Sequence, residues 1–293
     1  MVNVIKQARA AFTLLSPEEI RKRASQPVSF GLVAESERAF GEMEDFLIPA
    51  DAPPAVRARL AGMVYRAGEP GAPERVDVVL HQDGAEGPKG TYTFHGSEPR
   101  RTVAEIVREN DDMALALARE YPAFRVPVVE GLIHSVAGEN AFFAIATALP
   151  DVLPSLIELP WAFGEFASDT AFLTANQIRM AFLIAAACGR PVGFSQQKAE
   201  IVGIAAGAFG WRAIARELTG KIPFGGGLIP KGAIAYAVTY AIGKGLERLY
   251  QAHTPYTRDE RREIYRQAYE RGRSVSQTIE PEAGRGPIRG GTA

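Results

Sequence analysis

The chain has 293 residues, 46% of them hydrophobic and 23% charged, which predicts a folded protein with a sizeable core rather than a disordered chain. Its 33 Lys and Arg residues nearly balance 34 Asp and Glu residues, so it lacks the basic excess typical of nucleic-acid-binding proteins, and we expect no nucleic-acid partner. A single cysteine, Cys188, excludes an internal disulfide and a cysteine-based zinc site, and it favours a reducing compartment.

Residues 1–120 carry the patterns of alternating helices and strands. In a capping box, a Ser or Thr side chain and an acidic side chain three positions later bond the first free N–H groups of a helix, and such boxes begin at Ser16 and Thr102. Apolar runs predict strands at residues 28–33, 76–80 and 91–94, and helical spacing predicts helices at residues 34–47 and 55–63. Strands separated by helices favour a small α/β layer with parallel pairing.

Over residues 121–275 the sequence pattern no longer indicates strands, and it predicts helices joined by turns that contain Pro and Gly. Four of these helices are expected at about residues 126–149, 168–188, 195–218 and 230–251. A last helix opens with a capping box at residues 257–260 and is predicted to end at Gly272, followed by a disordered tail over residues 276–293. The predicted fold class is therefore α+β, with a small α/β N-terminal layer followed by an all-α helical domain.

The N-terminus and the apolar helices bear on the location of the protein. The apolar run within residues 1–15 is too short for an export signal. No charge-free stretch reaches the roughly 20 residues that a membrane-spanning helix needs. We therefore expect a cytoplasmic protein without a transmembrane helix, whose apolar helices allow peripheral contact with the inner face of the membrane.

The loop after the first predicted strand is where a nucleotide-binding α/β protein places its phosphate loop. Phosphate binding there requires a Gly-rich turn with free N–H groups and a Lys, whereas residues 34–38 contain neither Gly nor Lys and include Glu35 and Glu37. Asp83 follows the second predicted strand at a spacing unlike that of GTPases, and no Asn-Lys-x-Asp motif occurs. The sequence argues against intact GTP hydrolysis, and its scattered histidines predict no metal site.

Polar residues are embedded in the otherwise apolar helices of residues 121–275. Because a buried charge is costly unless it is paired, we expect these residues to contact one another across helices, as a structural network or as a ligand site. The candidates are Glu139, Asp169, Gln177, Arg179, Arg212 and Arg216, together with the amides Asn140 and Asn176. A separate ridge of small residues, Gly203, Gly207 and Gly210, predicts close helix packing, within the domain or between molecules.

Three sequence segments of this helical half resemble a known family. Residues 174–180 (Thr-Ala-Asn-Gln-Ile-Arg-Met) precede an apolar run, residues 221–225 read Lys-Ile-Pro-Phe-Gly, and residues 232–235 read Gly-Ala-Ile-Ala. In this order they resemble the GTPase-associated C-terminal helical domain family, the YcjF-type domain, over about residues 125–250. The resemblance implies a helical domain that often follows a GTPase domain and is suspected of membrane association, and it implies no catalytic residues.

These observations predict a non-enzymatic interaction or regulatory module that needs no cofactor. Its expected partner is another protein or a second copy of the chain, with peripheral membrane contact. One alternative is a divergent nucleotide-binding protein that uses a non-standard loop at residues 34–38 with Asp83 nearby. Another is a small-molecule hydrolase or binding protein with a site between the two parts of the chain.

Overall fold

A computed structural model describes residues 16–84, 90–148, 169–206 and 228–283. The chain divides into two compact units. The α/β unit comprises residues 18–131 and 185–191, and the helical unit comprises the remaining described residues from 132 to 283. The predicted α+β class is confirmed, because a four-stranded parallel sheet is combined with a majority of helices.

The α/β unit contains the whole sheet. Its elements are α1 (Pro17–Ala24), β1 (Phe30–Val33), α2 (Glu37–Leu47), α3 (Pro54–Ala61), β2 (Val64–Arg66), β3 (Val78–Gln82), β4 (Tyr92–Phe94), α4 (Pro99–Glu109) and α5 (Ala114–Glu120). The four strands are parallel and are ordered β2-β1-β3-β4, with Phe30 opposite Val64 on one side and Val78 on the other. Strand β2 therefore lies on one side of β1 while β3 and β4 lie on the other, so the order in which the chain adds strands reverses between β1 and β3.

Aromatic side chains build the core beside β1. The ring of Phe30 packs edge-on against Tyr121 at 4.8 Å, and Phe124 lies 6.0 Å from the same ring. The hydroxyl of Tyr121 donates a 2.6 Å hydrogen bond to the carbonyl of Val28, so its one polar group is satisfied inside the core. Burial raises the pKa of Tyr121 far above its ordinary value, which keeps the phenol neutral.

Two features of this unit differ from the sequence prediction. Strand β2 was missed, because only Val64 of its three residues is buried and so short a segment shows no alternation. The capping box predicted at Thr102 is wrong, because α4 already begins at Pro99 and Thr102 is fully buried within it. The Thr102 hydroxyl instead accepts a 2.8 Å hydrogen bond from the backbone N–H of His95, which ties the helix to the end of β4.

The helical unit is built from long helices. They are α6 (Pro122–Ala146), which begins in the α/β unit, α7 (Asp169–Ala187), α8 (Lys198–Ala206), α9 (Leu228–Ala252) and α10 (Arg258–Ala283). The capping box that opens α10 is confirmed, since Thr257 and Glu260 exchange backbone and side-chain hydrogen bonds of 2.7 Å and 3.3 Å. In the described parts of the chain, no helix is both long enough and apolar enough to cross a membrane.

Helix α10 continues through Gly272 instead of ending there. A Cβ atom at Gly272 would lie 2.9 Å from the carbonyl oxygen of Ala233 and 2.9 Å from Cβ of Tyr236, so this glycine allows α9 and α10 to approach closely. The predicted helix end at Gly272 is therefore wrong, because the residue serves packing rather than a left-handed turn. Residues 276–283 are helical where a disordered tail was expected, and residues 284–293 lie outside the described residues.

Candidate functional site: polar clusters and a groove

Three helices of the helical unit bring six polar side chains together, and we call these residues the amide network. Helix α6 supplies Glu139 and Asn140, α7 supplies Asn176, Gln177 and Arg179, and α9 supplies Thr239. Residues three positions apart share one face of a helix, which is why Asn176 and Arg179 point to the same neighbour on α6. The close approach of α9 depends on Gly243, where a Cβ atom would lie 2.8 Å from the side chain of Ile133.

The outer end of the amide network is an ion pair between Arg179 and Glu139. Arg179 donates from Nη2 to Oε2 of Glu139 and from Nε to the side-chain oxygen of Asn176, the latter at 2.9 Å. Asn176 in turn donates to the same carboxylate at 3.0 Å. The charged side chains are 27% and 36% exposed, so water screens the pair and its contribution to stability is modest.

The inner end of the network consists of neutral groups, and Asn140, Asn176 and Thr239 are almost completely buried. Asn140 accepts a 2.9 Å hydrogen bond from Asn176 and donates one of 2.8 Å to the hydroxyl of Thr239. Gln177 donates to the same hydroxyl at 3.1 Å. Because these groups satisfy one another, the cost of burying amides is offset inside the helical unit.

The structure thus brings Glu139, Gln177 and Arg179 of the predicted set into one cluster. Thr239 is a member that the sequence did not single out, since an isolated threonine in an apolar helix gives no signal of its partners. Asp169 begins α7, and its side chain is not among those described. Gly203 is partly buried in α8. The other predicted residues, Gly207, Gly210, Arg212 and Arg216, lie outside the described residues.

A second polar cluster lies at the carboxyl ends of the strands in the α/β unit. We call it the edge cluster: Glu35, Gln82, Asp83, His95 and Glu105. Gln82, the last residue of β3, accepts a 2.8 Å hydrogen bond from the backbone N–H of Glu35 and donates one of 3.2 Å to the Glu35 carboxylate. These two contacts bridge β3 and the loop after β1, where strand succession reverses.

The first turn of α2, beside this bridge, has one of its N–H donors capped by a side chain of the chain itself. The side chain of Ser36 caps the helix by accepting a hydrogen bond from the N–H of Ala39. Glu37 of the same turn pairs with Arg66, and the guanidinium of Arg66 also lies over the ring of Phe40 at 5.1 Å. A phosphate in this loop would compete with the Ser36 hydroxyl for the N–H of Ala39, and the carboxylates of Glu35 and Glu37 would repel it.

The other half of the edge cluster is centred on His95. Its Nδ1 lies 3.9 Å from the carboxylate of Asp83 at the end of β3, and its Nε2 lies 3.4 Å from that of Glu105 on α4. Burial opposes ionisation of Glu105, but hydrogen bonds from Arg101 and His95 and their charges outweigh it and lower the Glu105 pKa. Asp83 and Glu105 lie beside different nitrogens of the His95 ring, so the two carboxylates do not face one common ligand position.

No set of three or more His, Cys, Asp or Glu side chains in the described part of the chain has the geometry of a metal site. The helical unit does hold a groove of about 510 Å³, within the size range of ligand sites in proteins. We call it the hairpin groove, because α9, α10 and the turn between them line it. The lining residues are Tyr240, Lys244, Tyr256, Asp259, Glu260, Glu263, Ile264 and Gln267.

Comparison of the chain with protein-family models, with curated proteins and with solved structures found no match. The resemblance of residues 125–250 to the YcjF-type helical domain family therefore stays a prediction that rests on the sequence segments quoted above. A fold alone does not define an activity, so the clusters and surfaces of the chain are the features that bear on its function.

Proposed function

We propose that the chain is a non-enzymatic interaction module whose helical unit supplies the contact surface. The amide network carries this proposal. Three candidate ligand-binding groups of this unit, Glu139, Asn176 and Arg179, are bonded to one another across α6 and α7. Their hydrogen bonds fix the positions of helices, which is the role of a scaffold that presents a surface. The resemblance to the YcjF-type family supports the same proposal.

The surface that we propose for contact includes exposed apolar side chains of the helical unit. Val202 on α8 is 58% exposed, and Phe194, in the turn before α8, is 43% exposed. The Phe194 ring stands edge-on to Phe182 at 5.3 Å, which fixes its orientation. When a partner covers exposed apolar groups, the free energy of the complex falls by about 25 cal/mol per Å² of apolar area removed from water.

Two matched valine substitutions test this proposal. Val202→Asp places a charge on the proposed surface, whereas Val126→Asp places one at a similarly exposed valine of α6 (50%) in the α/β unit. The measurements are sedimentation equilibrium for self-association and flotation with vesicles of phosphatidylethanolamine and phosphatidylglycerol. We expect the wild-type chain to associate in one of these assays, and Val202→Asp alone to abolish that association.

The assay in which Val202→Asp loses association identifies the partner. Loss of flotation in Val202→Asp would assign the surface to the membrane, and loss of self-association would assign it to a second copy. If the wild-type protein is monomeric and does not float, or if both variants behave alike, the proposed contact surface is wrong.

A divergent nucleotide-binding function is the second candidate, and the sheet order favours it. In open parallel sheets, ligands bind where the direction of strand succession reverses, which here is between β1 and β3. The bridge between Gln82 and Glu35 occupies that position. Thermal unfolding with GTP or ATP and Mg²⁺ tests this candidate, because a ligand at a hundred times its Kd stabilises the folded state by about 2.7 kcal/mol. We expect no shift, and a clear rise in Tm would favour nucleotide binding over the interaction module.

A further inference from the structure

We propose that the exposed face of α8 binds the surface of a bilayer that contains anionic lipids. This inference rests on the proposed function, because it names the partner of the contact surface around Val202. It depends on three properties of this face: the spacing of its side chains along the helix, the small apolar area that it exposes and the position of its lysine.

Exposed side chains at helical spacing form one row along α8. The backbone N–H of Gln197 bonds the carbonyl of Gly193 at 3.0 Å, so the helical pattern already begins in the turn before α8. Residues four positions apart share one side of a helix, which places Phe194, Lys198 and Val202 in line. Together with two alanines further along, they make up what we call the α8 face, in which every residue is exposed: Phe194, Lys198, Val202, Ala205 and Ala206.

The opposite side of α8 is buried, and this fixes the orientation of the α8 face. Ile204 and Gln197 are both almost completely buried, and Oε1 of Gln197 accepts a 2.9 Å hydrogen bond from the backbone N–H of Gly193. The edge-on contact with Phe182 holds the ring of Phe194 in the same turn. A helix with one buried side and one exposed apolar side lies along the protein surface, as do helices that rest in a membrane interface.

The apolar area of the α8 face is small for a stable protein interface. Among the described residues of the helical unit, the exposed large hydrophobic side chains are Phe194 and Val202, and α8 itself has nine residues. A standard protein interface covers about 800 Å² and roughly 20–30 residues on each partner. A bilayer requires no such minimum, because each apolar side chain that enters the headgroup region adds its own transfer free energy. The size of the face therefore favours lipid over a second copy of the chain.

The position of Lys198 favours anionic lipids. This exposed residue stands between Phe194 and Val202 in the row and makes no ion pair within the described ranges. Glu200, which is the one carboxylate of residues 192–206, is half-buried and lies two positions further, on another side of the helix. A lysine stem can lie along apolar groups while its ammonium reaches lipid phosphates. The α8 face therefore presents apolar groups with a single, positive charge among them.

The test is co-sedimentation of the full chain with sucrose-loaded vesicles of phosphatidylcholine, alone or mixed with phosphatidylglycerol, at low ionic strength. Lys198→Gln has a matched control in Lys22→Gln, at an exposed lysine of α1 in the α/β unit. We expect the wild-type chain to bind the mixed vesicles more tightly than pure phosphatidylcholine. Lys198→Gln should weaken binding to the mixed vesicles about five-fold, because one lysine near an anionic surface contributes that much, and Lys22→Gln should leave it unchanged.

Val202→Ser gives a second, uncharged readout, with an expected weakening of about three-fold for both kinds of vesicle, since it removes apolar area that enters the interface. Val126→Ser is its control at the exposed valine of α6, and circular dichroism checks that each variant folds.

Three results would overturn the inference: equal binding to both kinds of vesicle, equal losses in a variant and its control, or no vesicle binding by the wild-type chain. If vesicle binding is absent while self-association depends on Val202, the lipid inference fails and the proposed function stands. If the wild-type chain neither binds vesicles nor self-associates, both fail.

Discussion

The edge cluster of the α/β unit and the amide network of the helical unit contain similar residue types in different surroundings. The edge cluster includes carboxylates that water reaches, such as Asp83 with a side chain 67% exposed, and its contacts to His95 are longer than 3.2 Å. The amide network has completely buried amides: Asn140 and Asn176 bond each other at 2.9 Å, and Asn140 bonds Thr239 at 2.8 Å. Burial therefore converts a set of polar side chains from adjustable surface contacts into a fixed connection between helices.

The largest expected effect comes from breaking the buried part of the amide network. Asn140→Leu removes one of two acceptors of the Asn176 amide and one of two amide donors to the Thr239 hydroxyl, and it places an apolar side chain among the remaining buried polar groups. We expect a loss of about 3 kcal/mol in the free energy of unfolding, measured by urea denaturation. Ser135→Ala is the control, because the Ser135 contact to Glu139 is exposed and 3.3 Å long. An Asn140→Leu variant as stable as the wild type would show that the network does not hold the helices.

A pair of helical glycines separates close packing from helix propensity. Gly272→Ala would push a methyl group against the backbone of α9, and we expect a loss of about 1–3 kcal/mol in unfolding free energy. Gly138→Ala should have the opposite sign, a gain of about 0.5–1 kcal/mol, because among the described residues no neighbouring side chain or element lies within 4 Å of the new methyl group. Thermal unfolding of both variants measures the difference, and equal effects would contradict the close approach of α9 and α10.

A smaller effect is expected at the outer end of the amide network, where the groups are charged but partly exposed. Arg179→Gln should cost about 1 kcal/mol, since it removes a screened ion pair and one hydrogen bond to Asn176. The measurement is a double-mutant cycle with Glu139→Gln at low and high salt. A coupling that does not fall with salt would mean that the pair is less exposed than its side chains indicate.

The smallest effect concerns pH and contrasts the carboxylates of the edge cluster with the buried amides of the amide network, because carboxylates titrate and amides do not. The pKa of Glu105 is lower than its ordinary value of 4.5, so its stabilising contribution is present above that pH and is lost as the pH falls through the lowered pKa. We expect hydrogen exchange in α4 to accelerate on acidification in the wild type. Glu105→Gln should reduce this pH dependence, while exchange in α7 serves as the reference. Equal acid sensitivity of α4 in both proteins would contradict the role of Glu105.

Prediction from the sequence succeeded where the signal was local. The helix start at Thr257 was predicted because the capping residues are three positions apart, and strands β1, β3 and β4 were predicted because apolar runs mark buried strands. Prediction failed where a residue that fits a local helix-end or capping pattern instead makes a contact with another element. Gly272 has the sequence appearance of a helix end but serves a helix contact, and Thr102 has that of a cap but is buried inside α4.

The sequence by itself determined the α+β class, the approximate extents of most described helices and strands, and which polar residues are embedded in apolar helices. Those properties depend on periodicity and on capping over a few neighbouring residues. Only the tertiary structure decided that Asn140 bonds Thr239, 99 positions away, and that Gln82 bonds Glu35, 47 positions away. Such pairs are selected by the packing of whole elements, because a buried polar side chain bonds whichever partner the folded helices and strands bring within reach.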